Sequence, residues 1–203
     1  MDSIFCFDLD GTISKMEILP IIAKEIDIFE EIEALTEATI KGIIPFNRSF
    51  QLRVKLLSEI PIKRVQDLVM DIPLHDEIVN FIKNNSANSY VITGNLDVWI
   101  EELIMKKLGC QYFSSKAEIG NNRIIRISSI LNKGVVIKEL KQLHKNHQIV
   151  SIGDGMGDVP MHLEADIGIA FGAVHPPIET LINVSDYIIY EEKTLCRLLN
   201  TLL

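Results

Sequence analysis

The chain is 203 residues long, with 47% hydrophobic and 24% charged residues, a composition that builds a buried core and excludes disorder, fibres and low-complexity arrays. With 20 basic against 28 acidic residues the net charge is −8, which opposes nucleic-acid binding and suits a bound cation. Cys6, Cys110 and Cys196 stand far apart without CxxC spacing, so neither a disulfide framework nor a zinc site is expected, and a reducing cytoplasm is the natural compartment.

The stretch from Met1 to Asp8 has no basic region and meets an acid after four apolar residues, so it does not read as a signal peptide. The longest uncharged stretch, Asn84 to Leu96, is too short to span a membrane. Apolar runs at Ile4–Phe7, Tyr90–Thr93, Ile149–Ile152, Ile167–Ala170 and Tyr187–Tyr190 alternate with helical patterns, which predicts a Rossmann-like α/β core, a parallel sheet covered on both faces. Between the first two runs the pattern is helical. Ser14-Lys15-Met16-Glu17 reads as a capping box opening a helix toward Ile26, Ile28 to Lys41 as a second helix closed by Gly42, and Phe46 to Ser58 and Lys63 to Met70 as helices starting near Pro45 and Pro61. A four-helix insertion is therefore expected at 14–72, forming a cap, with the core made of 1–13 and 73–203. Ser14 and Ile72-Pro73 are its hinge candidates. Asn95 reads as the N-cap of a later helix that ends near Gly109.

Four clusters fall at expected strand ends. Asp8 and Asp10 stand two apart in Phe7-Asp8-Leu9-Asp10-Gly11-Thr12, where the first strand runs out, and in a doubly wound sheet ligands bind outside the carboxyl ends of strands. Thr93-Gly94 ends the second and offers a hydroxyl and backbone N–H groups for phosphate oxygens. Lys133 opens a helix, where the macrodipole disfavours a cation unless an anion is near. Gly153-Asp154-Gly155-Met156-Gly157-Asp158 places two acids four apart in a glycine-rich loop suited to oxygen ligation of Mg²⁺.

In this order, DxDGT, a strand-terminal Thr, a Lys and GDGxxD resemble the haloacid dehalogenase superfamily of phosphohydrolases, and the insertion after the first motif resembles the cap of its phosphoserine phosphatase branch. The resemblance implies that Asp8 is the nucleophile and Asp10 the acid and base. It implies that Thr93, Gly94 and Lys133 hold the phosphoryl group, and that Asp8, the Asp10 carbonyl and Asp154 ligate Mg²⁺, with Asp158 supporting the metal or Lys133. In the cap it implies that Glu17 meets a substrate ammonium, Arg53 holds its carboxylate and Phe46 closes over it. The partner is then a small phosphorylated metabolite such as L-phosphoserine. Alternatives are another small phosphometabolite, a phosphotransferase to a small alcohol such as homoserine, or, remotely, a phospho-accepting receiver domain. The sequence departs from the branch at Thr93, usually serine, at Gly157, usually asparagine, and at Asn95-Leu96, usually a glycine-containing pair. The short segment from Phe113 to Lys133 implies that a β-hairpin often found there is trimmed or absent.

Overall fold

The computed structural model describes residues 2–203. Strand β1 (Ser3–Phe7) pairs in parallel with β2 (Ser89–Leu96) on one side and β5 (Gln148–Gly153) on the other. With β3 (Gln111–Gly120), β4 (Arg123–Ser129), β6 (Ile167–Phe171) and β7 (Tyr187–Ile189) the sheet order is β4-β3-β2-β1-β5-β6-β7. Only β4 runs antiparallel to its neighbour. The chain winds outward from β1 in one direction and then in the other, so the switch point lies between β1 and β5, where an open α/β sheet forms its ligand crevice.

Alternation decides which helix covers which face. Phe5, Phe7, Val91 and Ile152 pack with α5 (Asp76–Asn84), α6 (Asp97–Leu103) and α10 (Glu192–Thr201), while Ile4, Cys6, Tyr90 and Ile149 pack with α7 (Lys133–Leu143) and α8 (Val159–Glu164). Both faces are covered, and β1 is buried throughout. A short helix, α9 (Glu179–Ile182), links β6 to β7. No described helix is long and apolar enough to cross a membrane.

Four helices follow β1: α1 (Ile18–Ala23), α2 (Phe29–Ile40), α3 (Phe46–Leu57) and α4 (Ile62–Met70). Pro45 and Pro61 precede α3 and α4, and Gly42, at φ +72°, follows α2, as their residue types predict. At the root of this insertion the two crossing segments touch, with Ser14 bridging Leu74 and the Lys15 N–H donating to the Pro73 carbonyl at 2.9 Å.

Three local expectations are corrected. Ser14 is no helix cap: its hydroxyl accepts from the Gly11 N–H and donates to the Leu9 and Met16 carbonyls, and α1 starts only after Glu17, which makes no cap hydrogen bond. Asn95 is not an N-cap either, because β2 runs on to Leu96. The hairpin is present as β3 and β4, turning at Asn121-Asn122 with φ of 51° and 59°. Asparagine tolerates that left-handed geometry, which matches the twist of a two-residue hairpin.

Candidate active site

β1 ends at Phe7, and Asp8 continues the Ile4 and Cys6 side of the strand, the side on which α7 begins. There Lys133 Nζ lies 2.6 Å from Asp8 Oδ1 and 2.6 Å from Asp158 Oδ1, so two carboxylates hold a cation against the helix dipole. Asp158 is itself fixed, its Oδ2 accepting the N–H groups of Asp154 at 3.0 Å and Gly155 at 3.1 Å. Desolvation raises the pKa of buried Asp8, with Asp158 adding to it, and desolvation followed by Glu17 does the same for Asp154. Burial pulls the Lys133 ammonium down, but Asp158 and Asp8 outweigh it and its pKa stands above the ordinary value.

Three buried acids thus face one ammonium. Ligand oxygens of Asp8, Asp154 and Asp158 lie within 4.8 Å of one another, and Asp154 Oδ2 is buried with no hydrogen-bond partner. An all-oxygen donor set with an orphaned carboxylate oxygen fits a hard divalent cation. Gly11, at φ +69°, lets the loop after β1 pass over this point, since a Cβ there would sit 2.3 Å from Asp154 Oδ2.

Asp10 parts from Asp8. Alternation no longer governs past the strand end, and the Asp10 carboxyl turns to the insertion, where Oδ1 accepts the Ile18 N–H at 3.0 Å and Oδ2 accepts Asn95 Nδ2 at 3.0 Å. Burial and then the charge of Glu17 push it up to about 6. Thr93, fully buried at the end of β2, accepts the Asn95 N–H at 3.1 Å on Oγ1, which leaves its own hydroxyl proton to give away. A Cβ on Gly94 would lie 2.3 Å from Phe46 Cζ, and the Phe46 ring stacks on Phe50 with centroids 5.2 Å apart.

In the insertion, buried Arg53 donates from Nη1 to Thr36 Oγ1 at 2.8 Å, and its Nε has no partner. Glu17 Oε1 lies 3.1 Å from His175 Nε2. All ten residues expected from the sequence line one cavity of about 80 Å³ between the insertion and the strand ends. Nothing lies within 4 Å of where a Gly157 side chain would begin, and a larger space of about 570 Å³ adjoins there, sharing Phe46, Gly94, Lys133 and Met156 with the first.

Sequence reasoning missed Asn95, Thr36 and His175. Asn95, two residues past Thr93, reads from the sequence as an N-cap and as part of a departure from a glycine-containing pair, neither of which points to Asp10. Thr36 is 17 residues before Arg53 on the facing helix, and His175 is 158 residues from Glu17, so no local spacing announces either pair.

A family model of haloacid dehalogenase-like hydrolases matches residues 5–162. A protein of Methanocaldococcus jannaschii named phosphoserine phosphatase is 30% identical over 183 residues, covering 82% of this chain and 84% of that protein. Another of that name from Archaeoglobus fulgidus is 30% identical over 197 residues, but this chain spans only 56% of its length. A structure described as a substrate-bound phosphoserine phosphatase complex superposes with a TM-score of 0.87 at 23% identity, covering 100% of this chain and 99% of that one, a likeness of fold. The chain belongs to the haloacid dehalogenase-like hydrolases, in their phosphoserine phosphatase-like branch.

Proposed function

We propose that this protein hydrolyses small phosphomonoesters through an aspartyl-phosphate on Asp8, and that its substrate is L-phosphoserine. The observation that carries the reading is the pairing, across one small cavity, of the Asp8–Lys133–Asp158 cluster with a buried arginine whose Nε is unpartnered. The first end suits a phosphoryl group. The second suits a carboxylate, which a guanidinium binds through two parallel N–H groups.

An Asp8 oxygen attacks phosphorus in line with the ester bond, which breaks as Asp10 gives its proton to the leaving serine oxygen. A water then attacks the acyl-phosphate, Asp10 takes its proton, and Asp8 is released with inorganic phosphate. Burial and Glu17 push the Asp10 pKa up to about 6, which raises the share of the protein whose Asp10 carries the proton at the start of the cycle. Lys133 holds Asp8 and a phosphoryl oxygen, while Thr93 Oγ–H and the Gly94 N–H receive equatorial oxygens as charge shifts in the transition state. Asp8, Asp154 and the Asp10 carbonyl would hold a Mg²⁺ ion, with Asp158 beside them; when bound, the ion neutralises phosphoryl charge so that an anionic nucleophile approaches.

The insertion at 14–72 acts as the cap, with Ser14 and Ile72-Pro73 at its root, opening to admit substrate and closing to exclude water. Glu17 meets the ammonium, Arg53 the carboxylate, and Phe46 covers the site. The chain's three buried, free cysteines, Cys6, Cys110 and Cys196, suit a reducing cytoplasm.

The test is phosphate release with Mg²⁺ from L-phosphoserine, phosphothreonine, phosphoethanolamine and sugar phosphates, with Arg53→Ala in parallel. Preference for L-phosphoserine over phosphoethanolamine, lost in Arg53→Ala mainly through KM, supports the reading. Activity confined to substrates lacking a carboxylate and indifferent to Arg53 would assign the cap to another metabolite, and full turnover in Asp8→Asn would sink the mechanism.

A further inference from the structure

We infer that Asn95 is a positioning residue for Asp10, holding the carboxyl on the line of the leaving group and stabilising the carboxylate that appears when its proton departs. The inference rests on the phosphatase reading above and adds to it a residue that the four motifs do not contain.

Asn95 is 3% exposed, and both ends of its side-chain amide have partners. Its Oδ1 accepts the Leu96 N–H at 3.3 Å. That contact settles which way the amide faces, because only the NH₂ end is then left to meet Asp10. Nδ2 lies 3.0 Å from Asp10 Oδ2 and 3.3 Å from Oδ1, while the Ile18 N–H, at the start of α1, donates to Oδ1 at 3.0 Å. The carboxyl plane is therefore pinned between the root of the cap and the end of β2. The Asn95 N–H donates to Thr93 Oγ1, so one residue sets both the acid and the hydroxyl that faces the phosphoryl group.

These contacts favour the charged form of Asp10, and that is where their use lies. While Asp10 carries the proton, an N–H aimed at its oxygen is a weak interaction. As the proton passes to the leaving alkoxide, the same N–H meets a developing carboxylate and strengthens, so the contact lowers the barrier more than the ground state. The carboxylate so held is also the base ready to take a proton from the attacking water. A glycine at this position supplies none of this.

The experiment compares wild type, Asn95→Gly and Asn95→Ser on two substrates, L-phosphoserine, whose alkoxide needs a proton, and p-nitrophenyl phosphate, whose leaving group departs as a stable anion. The quantity is kcat/KM, which reports the steps up to phosphoryl transfer. The expected result is a loss of about 10- to 100-fold on L-phosphoserine, a part of the roughly 100- to 10,000-fold that a whole general acid contributes, because Asp10 itself is kept, carried by kcat with KM within about twofold. On p-nitrophenyl phosphate the loss should be at most about threefold. The ratio of the two does not depend on how much of the preparation is folded, so a partly unfolded variant still gives an answer. Equal losses on both substrates would mean that Asn95 only supports the local fold and would overturn the inference, as would no loss on either. If wild type releases phosphate from neither substrate, it is the phosphatase reading that fails.

Discussion

Lys133 is the residue around which the charges balance, and its position makes Asp8 a source of instability as well as the nucleophile. Without a divalent cation, three buried carboxylates share one ammonium, and desolvation opposes ionising all of them. Asp8→Asn should therefore abolish turnover and yet raise the melting temperature of the metal-free protein at pH 8. About 1 kcal/mol of relief corresponds to about 2–4 °C for a chain of this size, which differential scanning fluorimetry reads directly. A lower melting temperature would show that the Lys133–Asp8 bond outweighs the repulsion. Thr36 allows a second test at this scale. Thr36→Val keeps the shape but removes the acceptor for Arg53 Nη1, and leaving a buried donor unpaired costs about 1–3 kcal/mol, more when the donor is charged. The guanidinium then shifts, and KM for L-phosphoserine should rise about tenfold while that for phosphoethanolamine stays put. Asp8, Thr93 and Asp154 were legible because each stands where an apolar run ends, and Lys133 because it opens a helix, where a cation calls for an anion. Thr36 and His175 were not, since their meaning comes from partners that only the folded chain brings near.

Among the elements, the contact that matters most is the start of α3 against the end of β2. The Phe46 ring comes so close to Gly94 that a methyl group there would sit 2.3 Å from Cζ, and the ring cannot slide away freely because it stacks on Phe50. Gly94→Ala should hold the cap open and cost about 100-fold in kcat/KM, the scale of an ångström misplacement in an active site. Phe46→Ala should cost activity by exposing the site. If the steric argument is right, the double variant Gly94→Ala/Phe46→Ala should be no worse than Phe46→Ala alone, a coupling that a double-mutant cycle measures. Additive losses would show that Gly94 serves only the phosphate. Buried strands and long helices were readable, because uniformly apolar runs and proline or glycine ends are strong signals. The β3–β4 hairpin was misread since much of it is exposed and its apolar residues are interspersed with charged and polar ones instead of forming a run. Its one firm signal was Asn121-Asn122, a pair suited to positive φ.

At the scale of the whole molecule, the sheet order follows from alternating strands and helices, and the place of the site follows from the sheet order. The switch point brings Asp8 and Asp154 together although 146 residues separate them in the chain. That convergence loads one crevice with acids and ties stability to pH and cation. Asp10 has an ordinary value of 3.8 and rises to about 6 when folded, and Asp8 and Asp154 shift the same way. Between those values the folded chain holds more protons than the unfolded one, so stability falls as pH rises, by the sign of the linkage relation. The metal-free protein should thus lose melting temperature steadily from about pH 4 to beyond pH 6. A divalent cation reverses the trend, because its ligands must be deprotonated and the folded state alone presents them together. At 100 times its dissociation constant, Mg²⁺ should add about 2.7 kcal/mol, or roughly 5–10 °C at this chain length. That gain should be largest above pH 7, vanish near pH 4, and be much smaller in Asp154→Asn at every pH. A Mg²⁺ effect equal at both ends of the range, or unchanged in Asp154→Asn, would place the ion elsewhere than on these carboxylates.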